Sequence, residues 1–177
     1  ALGYSAERFA RMLGLYTGLY PVKHQALITH RLPNLGKNGD ILDMLIDRRK
    51  RNDFSAVYGQ QFAETGQIIA CASPAVDFDE LKFNTRRFME IISEVFCDWI
   101  PSLATVPVQA TWSGYYVEPR YIIDPDNGLF VGLQGHGFML AQYLAKLYVD
   151  KALGRTVPDY MERLRLDGDG ISEKAFK

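Results

Sequence analysis

The residues of this chain best placed to do chemistry through the backbone are Gly132-Leu133-Gln134-Gly135-His136-Gly137-Phe138. An apolar run from Gly128 to Leu133 reads as a strand, glycines flank His136, and a helical pattern follows from Phe138 to Leu153, closed by Gly154. Glycines lack a Cβ, so a flat or anionic group can come close to the backbone there. The free N–H groups and positive dipole end of the following helix favour negative charge at the same point. The turn therefore suits an anion or an electron sink. A packing turn without a ligand uses the same residues, and spacing alone leaves both readings open.

Other chemistry is easier to exclude. The sequence has no G-x-x-x-x-G-K-[ST], H-E-x-x-H, G-x-S-x-G or paired C-x-x-C motif, which removes the strongest signals for nucleoside triphosphates, zinc proteases, serine hydrolases and zinc ribbons. His24 and His30 lie six apart without a third ligand, so no metal site is expected. Cys71 and Cys97 sit in apolar surroundings and read as inert thiols of a reducing compartment, here the cytoplasm. Arg48, Arg49, Lys50 and Arg51 form the one dense basic run and read as a solvated hairpin tip. With 20 basic and 21 acidic residues the net charge is -1, and no field draws the chain to nucleic acid.

Residues of these kinds need a packed frame, and 177 residues with 47% hydrophobic and 12% aromatic content can build one. Ser5 to Leu15 reads as a helix with Phe9, Met12 and Leu13 at helical spacing. Strands are expected from Pro21 to Thr29, Ile41 to Asp47, Phe54 to Gln60 and Gln67 to Ser73, with a loop at Pro33 to Gly39 and a turn at Glu64 to Gly66. Strands in such succession imply an antiparallel sheet. A helix capped by Asp77 or Asp79 runs to Trp99, and its stripe of Leu81, Phe88, Ile92, Val95 and Trp99 covers that sheet. Val106 to Tyr116 returns to strand, Pro119 to Asp126 is a connection, and Pro158 to Gly170 reads as a solvated tail. The fold class is α+β, a mostly antiparallel sheet under one long helix. Gly128 to Val149 is long enough to span a membrane, but Lys146 alone costs roughly 2.5 to 3.5 kcal/mol in hydrocarbon, and the glycines divide the run, so no span is expected.

A resemblance adds to this reading. Gly132 to Phe138, preceded by Trp112-Ser113-Gly114-Tyr115-Tyr116, Tyr121-Ile122-Ile123-Asp124 and Gly128-Leu129-Phe130-Val131, resembles the C-terminal half of the FAD-dependent D-amino-acid oxidase, glycine oxidase and sarcosine oxidase family. Gly3 to Gly14, with Ala6, Ala10 and Leu13-Gly14, is similar to the segment before that family's substrate domain. Pro21-Val22-Lys23-His24-Gln25 resembles its entry strand, with His24 where the family usually has glycine.

The resemblance implies a split FAD domain and a substrate domain: 1–20 as the end of an FAD-domain segment, 21–117 as the substrate domain, and 118–177 as the return to the FAD domain and tail. It implies flavin-dependent oxidation of the carbon–nitrogen bond of an amine or amino acid, with FAD against Gly135, His136, Gly137, Phe138 and Met139. The alternative is a non-catalytic ligand-binding or subunit-interface domain of the same descent. No catalytic residue is assigned. The family's G-x-G-x-x-G turn is not in the sequence, so an N-terminal FAD-binding half is expected as a partner, and 1–177 alone should bind FAD poorly and expose apolar surface on its first helix and its last strand and helix. Gly114 stands near where some relatives attach flavin through cysteine, which implies non-covalent FAD. Met139 stands where some sarcosine-oxidase relatives carry a lysine for the substrate carboxylate, so either the substrate is not a small carboxylate or its anchor lies elsewhere. Tyr116, Arg120 and Tyr58 are the candidates for substrate contact, with Lys23 and Arg49 behind them. Strand alternation lets only one of Tyr115 and Tyr116 face the site, and the resemblance favours Tyr116. Arg120 suits a bidentate carboxylate, or is an ordinary loop arginine.

Overall fold

A computed structural model describes residues 2–49, 54–74 and 85–171. The expected helix start at Asp77 or Asp79, Leu81 of its stripe, and Lys50 and Arg51 of the basic run lie outside them. The chain forms two compact units, one of 1–22 and 115–177 and the other of 23–114. The sequence divided it at 20/21 and 117/118.

The second unit holds most of a five-stranded sheet of β1 (Tyr20–Thr29), β2 (Leu45–Asp47), β3 (Phe54–Gln61), β4 (Ile68–Pro74) and β5 (Val108–Glu118), in the order β2-β3-β4-β1-β5. The first residues of β1 and the last of β5 belong to the other unit. The pairs β1/β4, β2/β3 and β3/β4 are antiparallel, as the succession of strand patterns implied. Along β3, Val57, Gly59 and Gln61 share the buried face, while a register shift between Phe54 and Ala56 lets Phe54 point inward too. Helix α2 (Thr85–Trp99) lays Phe88, Ile91, Ile92, Val95 and Phe96 on Leu27, Val57, Ile68, Ala70 and Ala72. Gly59 makes this approach possible, since a Cβ there would lie 2.7 Å from the Phe96 ring and 2.4 Å from the Ile69 carbonyl.

The strand expected from Ile41 is shorter because a side chain takes the place of its ladder. Gln61, 2% exposed, accepts from the Leu35 and Leu42 amides at 3.0 and 3.1 Å and donates to the Pro33 and Gly66 carbonyls at 2.8 and 2.9 Å. The loop is thus folded around one amide group, and extended pairing begins only at Leu45.

The first unit opens with helix α1 (Ala6–Met12), whose buried face is Ala6 and Ala10. Phe9, Met12 and Leu13 are exposed, the apolar surface expected on the first helix of 1–177, while the two small residues carry the close packing. Burial pushes the Glu7 carboxyl up, but hydrogen bonds from Thr17 and Arg11 outweigh it and hold it below its usual range. The expected connection 119–126 contains a strand, β6 (Ile122–Asp124), which pairs antiparallel with β7 (Leu129–Val131). Three consecutive buried residues leave no alternation to read, which hid β6. Helix α3 (Gly137–Ala152) buries Leu144 and Leu147 against Tyr121, Ile123, Met161 and Leu164.

The tail is packed, contrary to the solvated terminus expected. Residues 159–164 form a 3-10 turn that buries Met161 and Leu164, and the Tyr121 amide donates to the Ile171 carbonyl at 3.0 Å. No helix among the described residues is long and apolar enough to cross a membrane.

Candidate functional site

The first unit contains a cleft of about 490 Å³ lined by Leu2, Gly3 and Ala6, by Tyr115 to Val117 at the end of β5, and by Phe130 to Gln134 at the end of β7. Its size is that of a small-molecule pocket. Tyr115 and Tyr116 both line it, since the N-terminal segment bounds the cleft and brings Tyr4 to 5.2 Å from the Tyr115 ring. Tyr116 packs on the Gly-His-Gly turn: a Cβ on Gly135 would lie 2.8 Å from its ring.

The turn is a 3-10 element at Gln134–His136 that runs directly into α3. Gln134 adopts φ 51, a left-handed conformation that costs a non-glycine residue roughly 1 to 2 kcal/mol, and its side-chain amide donates to the Pro119 carbonyl. Gly132, at φ 76, cannot carry a side chain because a Cβ would lie 2.2 Å from the Arg120 carbonyl. Gly135 is closed in by Tyr116. Gly137 differs from both: its φ of -53 and ψ of -45 are helical, and a Cβ would meet Leu133 at an ordinary 3.4 Å. Nothing local demands glycine there. Beyond it Phe138 is 99% exposed and Met139 68%, on the first turn of a helix that no side chain caps.

His136 is half-buried, and its Nδ1 lies 2.8 Å from the Tyr121 hydroxyl. The sequence reading missed this pair, although Tyr121 and Ile123 share a strand face and both enter the core that α3 covers. Arg120 is in the same unit, but its guanidinium donates to the Leu166 carbonyl at 2.7 Å and to that of Gly168, which makes it the clamp of the tail. Tyr58 belongs to the second unit, opposite Cys71 on β4. Burial pushes the Cys71 thiol up to about 11 against a hydrogen bond from Tyr58, so it is no nucleophile at neutral pH. Arg49 is held bidentately by Asp47, its Nη2 donating to Oδ2 at 2.7 Å and its Nε to Oδ1 at 3.1 Å. No cluster of residues among those described could hold a metal ion.

Comparison with known proteins gives this geometry its context. Residues 1–151 match the family described as FAD dependent oxidoreductase. The chain belongs to that family. Its cofactor is FAD, and the site fits such a group on three counts: Gly137 leaves the start of α3 open, the helix terminus is uncapped, and an aromatic-lined cleft adjoins the turn. Among curated proteins, the Probable oxidoreductase OrdL of Rhizobium meliloti (strain 1021) is 32% identical over 90 residues, 47% of this chain and 21% of the relative. Among solved structures, L-proline dehydrogenase from P.horikoshii is 26% identical with a TM-score of 0.66, over 94% of this chain and 45% of its own. Glycine oxidase from Geobacillus kaustophilus, 19% identical with a TM-score of 0.67 over 93% and 43% of the two chains, shares the fold. So does iminodiacetate oxidase from Chelativorans sp. BNC1, at 19%, 0.65, 92% and 44%. The chain thus spans less than half the length of the relatives it matches, and the α+β architecture expected from the sequence is theirs.

Proposed function

We propose that this chain supplies the cofactor-facing turn, and the cleft beside it, of an enzyme that oxidises the carbon–nitrogen bond of an amine or amino acid. The observation that carries the proposal is Gly137, a glycine with helical backbone and room for a Cβ at the open end of α3. A packing turn explains Gly132 and Gly135 but leaves Gly137 without a purpose, whereas a flat ring lying on the turn requires it. The names of the relatives, which specify proline, glycine and iminodiacetate, support an amino-acid or amine substrate.

FAD, when bound, supplies the two-electron acceptor for a hydride leaving the substrate carbon. The chain's own residues hold and orient. Gly135 to Met139 offer backbone at the positive end of α3, where negative charge is stabilised by roughly 0.3 to 1 kcal/mol in an exposed setting and by more when buried. Tyr116 forms a wall of the cleft beside that turn, well placed to orient a substrate. Arg120 is not given the carboxylate in this proposal, because Leu166 and Gly168 already engage it. We further propose that FAD is held non-covalently, with its pyrophosphate gripped by a segment outside residues 1–177. The exposed Phe9, Met12 and Leu13 of α1 and Phe138, Met139 and Tyr143 of α3 are apolar surface that such a segment would cover. We also propose a reducing compartment, the cytoplasm, which two free cysteines, Cys71 and Cys97, suit.

The test is flavin content. The complete protein should purify with flavin that bleaches on adding an amine or amino acid, and Gly137→Val should lose flavin while keeping its thermal stability. A Gly137→Val protein with full flavin content and unaltered reduction refutes the assignment of the turn. A wild-type protein that holds its fold but never retains flavin favours the non-catalytic binding or interface module instead.

A further inference from the structure

The cleft beside the turn has a polarity of its own, and that polarity bears on which amines it can hold. We propose that the cleft receives an apolar, uncharged substituent of the amine or amino acid, so that substrates are selected by the hydrophobic bulk they carry and those with a charged substituent are rejected. This substrate class refines the function proposed above and depends on it.

Tyr115, Tyr116 and Val117 line the cleft from the end of β5, and Phe130, Val131 and Leu133 line it from β7 and the residues just after. No Asp, Glu, Lys, Arg or His is among the described residues of that lining. The rings offer flat apolar surface. Tyr4 and Tyr115 already pack on each other with centroids 5.2 Å apart at 45°, and Tyr116 lies against Gly135. An apolar group brought against such walls gains by leaving water, and an aromatic group gains a ring contact at the same spacing.

A charged substituent meets the opposite balance. Arg120, which follows Val117 by a few positions, spends its guanidinium on the Leu166 and Gly168 carbonyls. A carboxylate pushed in among the tyrosines and aliphatic side chains would lose its water without finding a counter-charge in the lining, and a buried charge without a partner is costly. Size points the same way. About 490 Å³ lies in the range that holds drug-sized ligands, far more than a hydrogen or methyl substituent fills. Tyr116 both walls the cleft and packs on the turn, so a substituent held in the cleft keeps the rest of the molecule next to the cofactor-facing backbone.

The test compares substrates on the complete, flavin-loaded protein. The apolar series are butylamine, pentylamine and hexylamine, and alanine, norvaline and norleucine; their acidic counterparts are γ-aminobutyrate, ε-aminocaproate, aspartate and glutamate. In whichever series is turned over, kcat/KM should rise by roughly fourfold for each methylene added, the scale of one buried methylene, and should fall by about tenfold or more when the substituent ends in a carboxylate. Calorimetric titration of the same compounds into flavin-free protein, where nothing turns over, should give the same order in Kd. Tyr115→Lys places a cation in the lining at a position already 38% exposed, and should shift the ratio of acidic to apolar substrate by about tenfold toward the acid, the scale of one charge-assisted hydrogen bond. Tyr115→Leu should keep the apolar preference. Values of kcat/KM that do not change with chain length overturn the proposal, and are what a cleft filled by the rest of the protein would give. Acidic counterparts that match the apolar compounds overturn it as well, as does a Tyr115→Lys protein with the wild-type ratio. Should the complete protein retain no flavin, the reading of the turn fails separately, and the calorimetric order still decides what the cleft accepts.

Discussion

Replacing Gly135 by alanine should cost stability only while Tyr116 keeps its ring. The alanine Cβ would lie 2.8 Å from the ring, and restoring even 3.4 Å requires the ring edge to withdraw by about 0.6 Å. Overpacking of this kind costs roughly 1 to 3 kcal/mol, and a half-buried ring that can yield puts Tyr116 at the lower end. Against that, alanine stiffens the unfolded chain and is worth about 0.4 to 1 kcal/mol where the native backbone accepts it. Gly135 is not among the glycines with positive φ, so it gains this term. Thermal or urea denaturation of the wild type, Gly135→Ala, Tyr116→Ala and the double variant closes the cycle. The expected result is a reversal of sign. Gly135→Ala is destabilising with the ring present, by up to about 0.6 kcal/mol or some 1 to 2 °C in Tm, and stabilising without it. In the function proposed above, KM for the amine or amino acid should rise in Gly135→Ala as the cleft wall shifts. A coupling below about 0.3 kcal/mol, the ordinary limit of additivity, would refute the placement of Tyr116 on the turn.

Three further outcomes follow from other contacts. Arg120→Met should release the tail, since two charge-assisted bonds to the Leu166 and Gly168 carbonyls are lost at roughly 1.5 to 3 kcal/mol each; hydrogen exchange at the Tyr121 amide should speed up, and unaltered exchange speaks against the clamp. Gln61→Leu should cost about 4 kcal/mol in urea denaturation, four hydrogen bonds at about 1 kcal/mol each, and a loss under 1 kcal/mol would mean the loop does not depend on that amide. Burial pushes Asp124 up, but bonds from the Leu166 and Asn127 amides and the Asn127 side chain outweigh it and depress its carboxyl; the stability it adds is complete above the usual carboxylate value near 4 and is lost as pH falls through the lower folded value, so Asp124→Asn should flatten the acid limb of a stability–pH curve, and an unchanged limb contradicts this.

What the sequence disclosed, and what it hid, depends on whether a residue's role is written in its neighbours along the chain. β3, β4 and α2 were legible because each packs one face on a common core, so that period two and period 3.6 survive in the order of residues, whereas β1 was read from alternation in residue type although Gln25, Ala26 and Leu27 are buried in succession. The Gly-His-Gly turn was legible for the same local reason. β2 was overextended because its ladder is displaced by Gln61, a residue that comes after it in the chain and acts on it in space. β6 was missed because Ile122, Ile123 and Asp124 are all buried, and the tail was misjudged because Arg120, nearly fifty residues upstream, holds it. Arg120 itself shows how far residue type alone can mislead: a guanidinium suited to a carboxylate meets two backbone carbonyls instead, and no spacing in the sequence distinguishes these partners. Gly137 runs the other way. Sequence treats it as equal to Gly135, and only the position of an absent Cβ separates the glycine that the fold requires from the one that it does not. In the function proposed above that difference gives Gly137 its role, because a flat ring lying on the turn would use the space that a Cβ could otherwise fill.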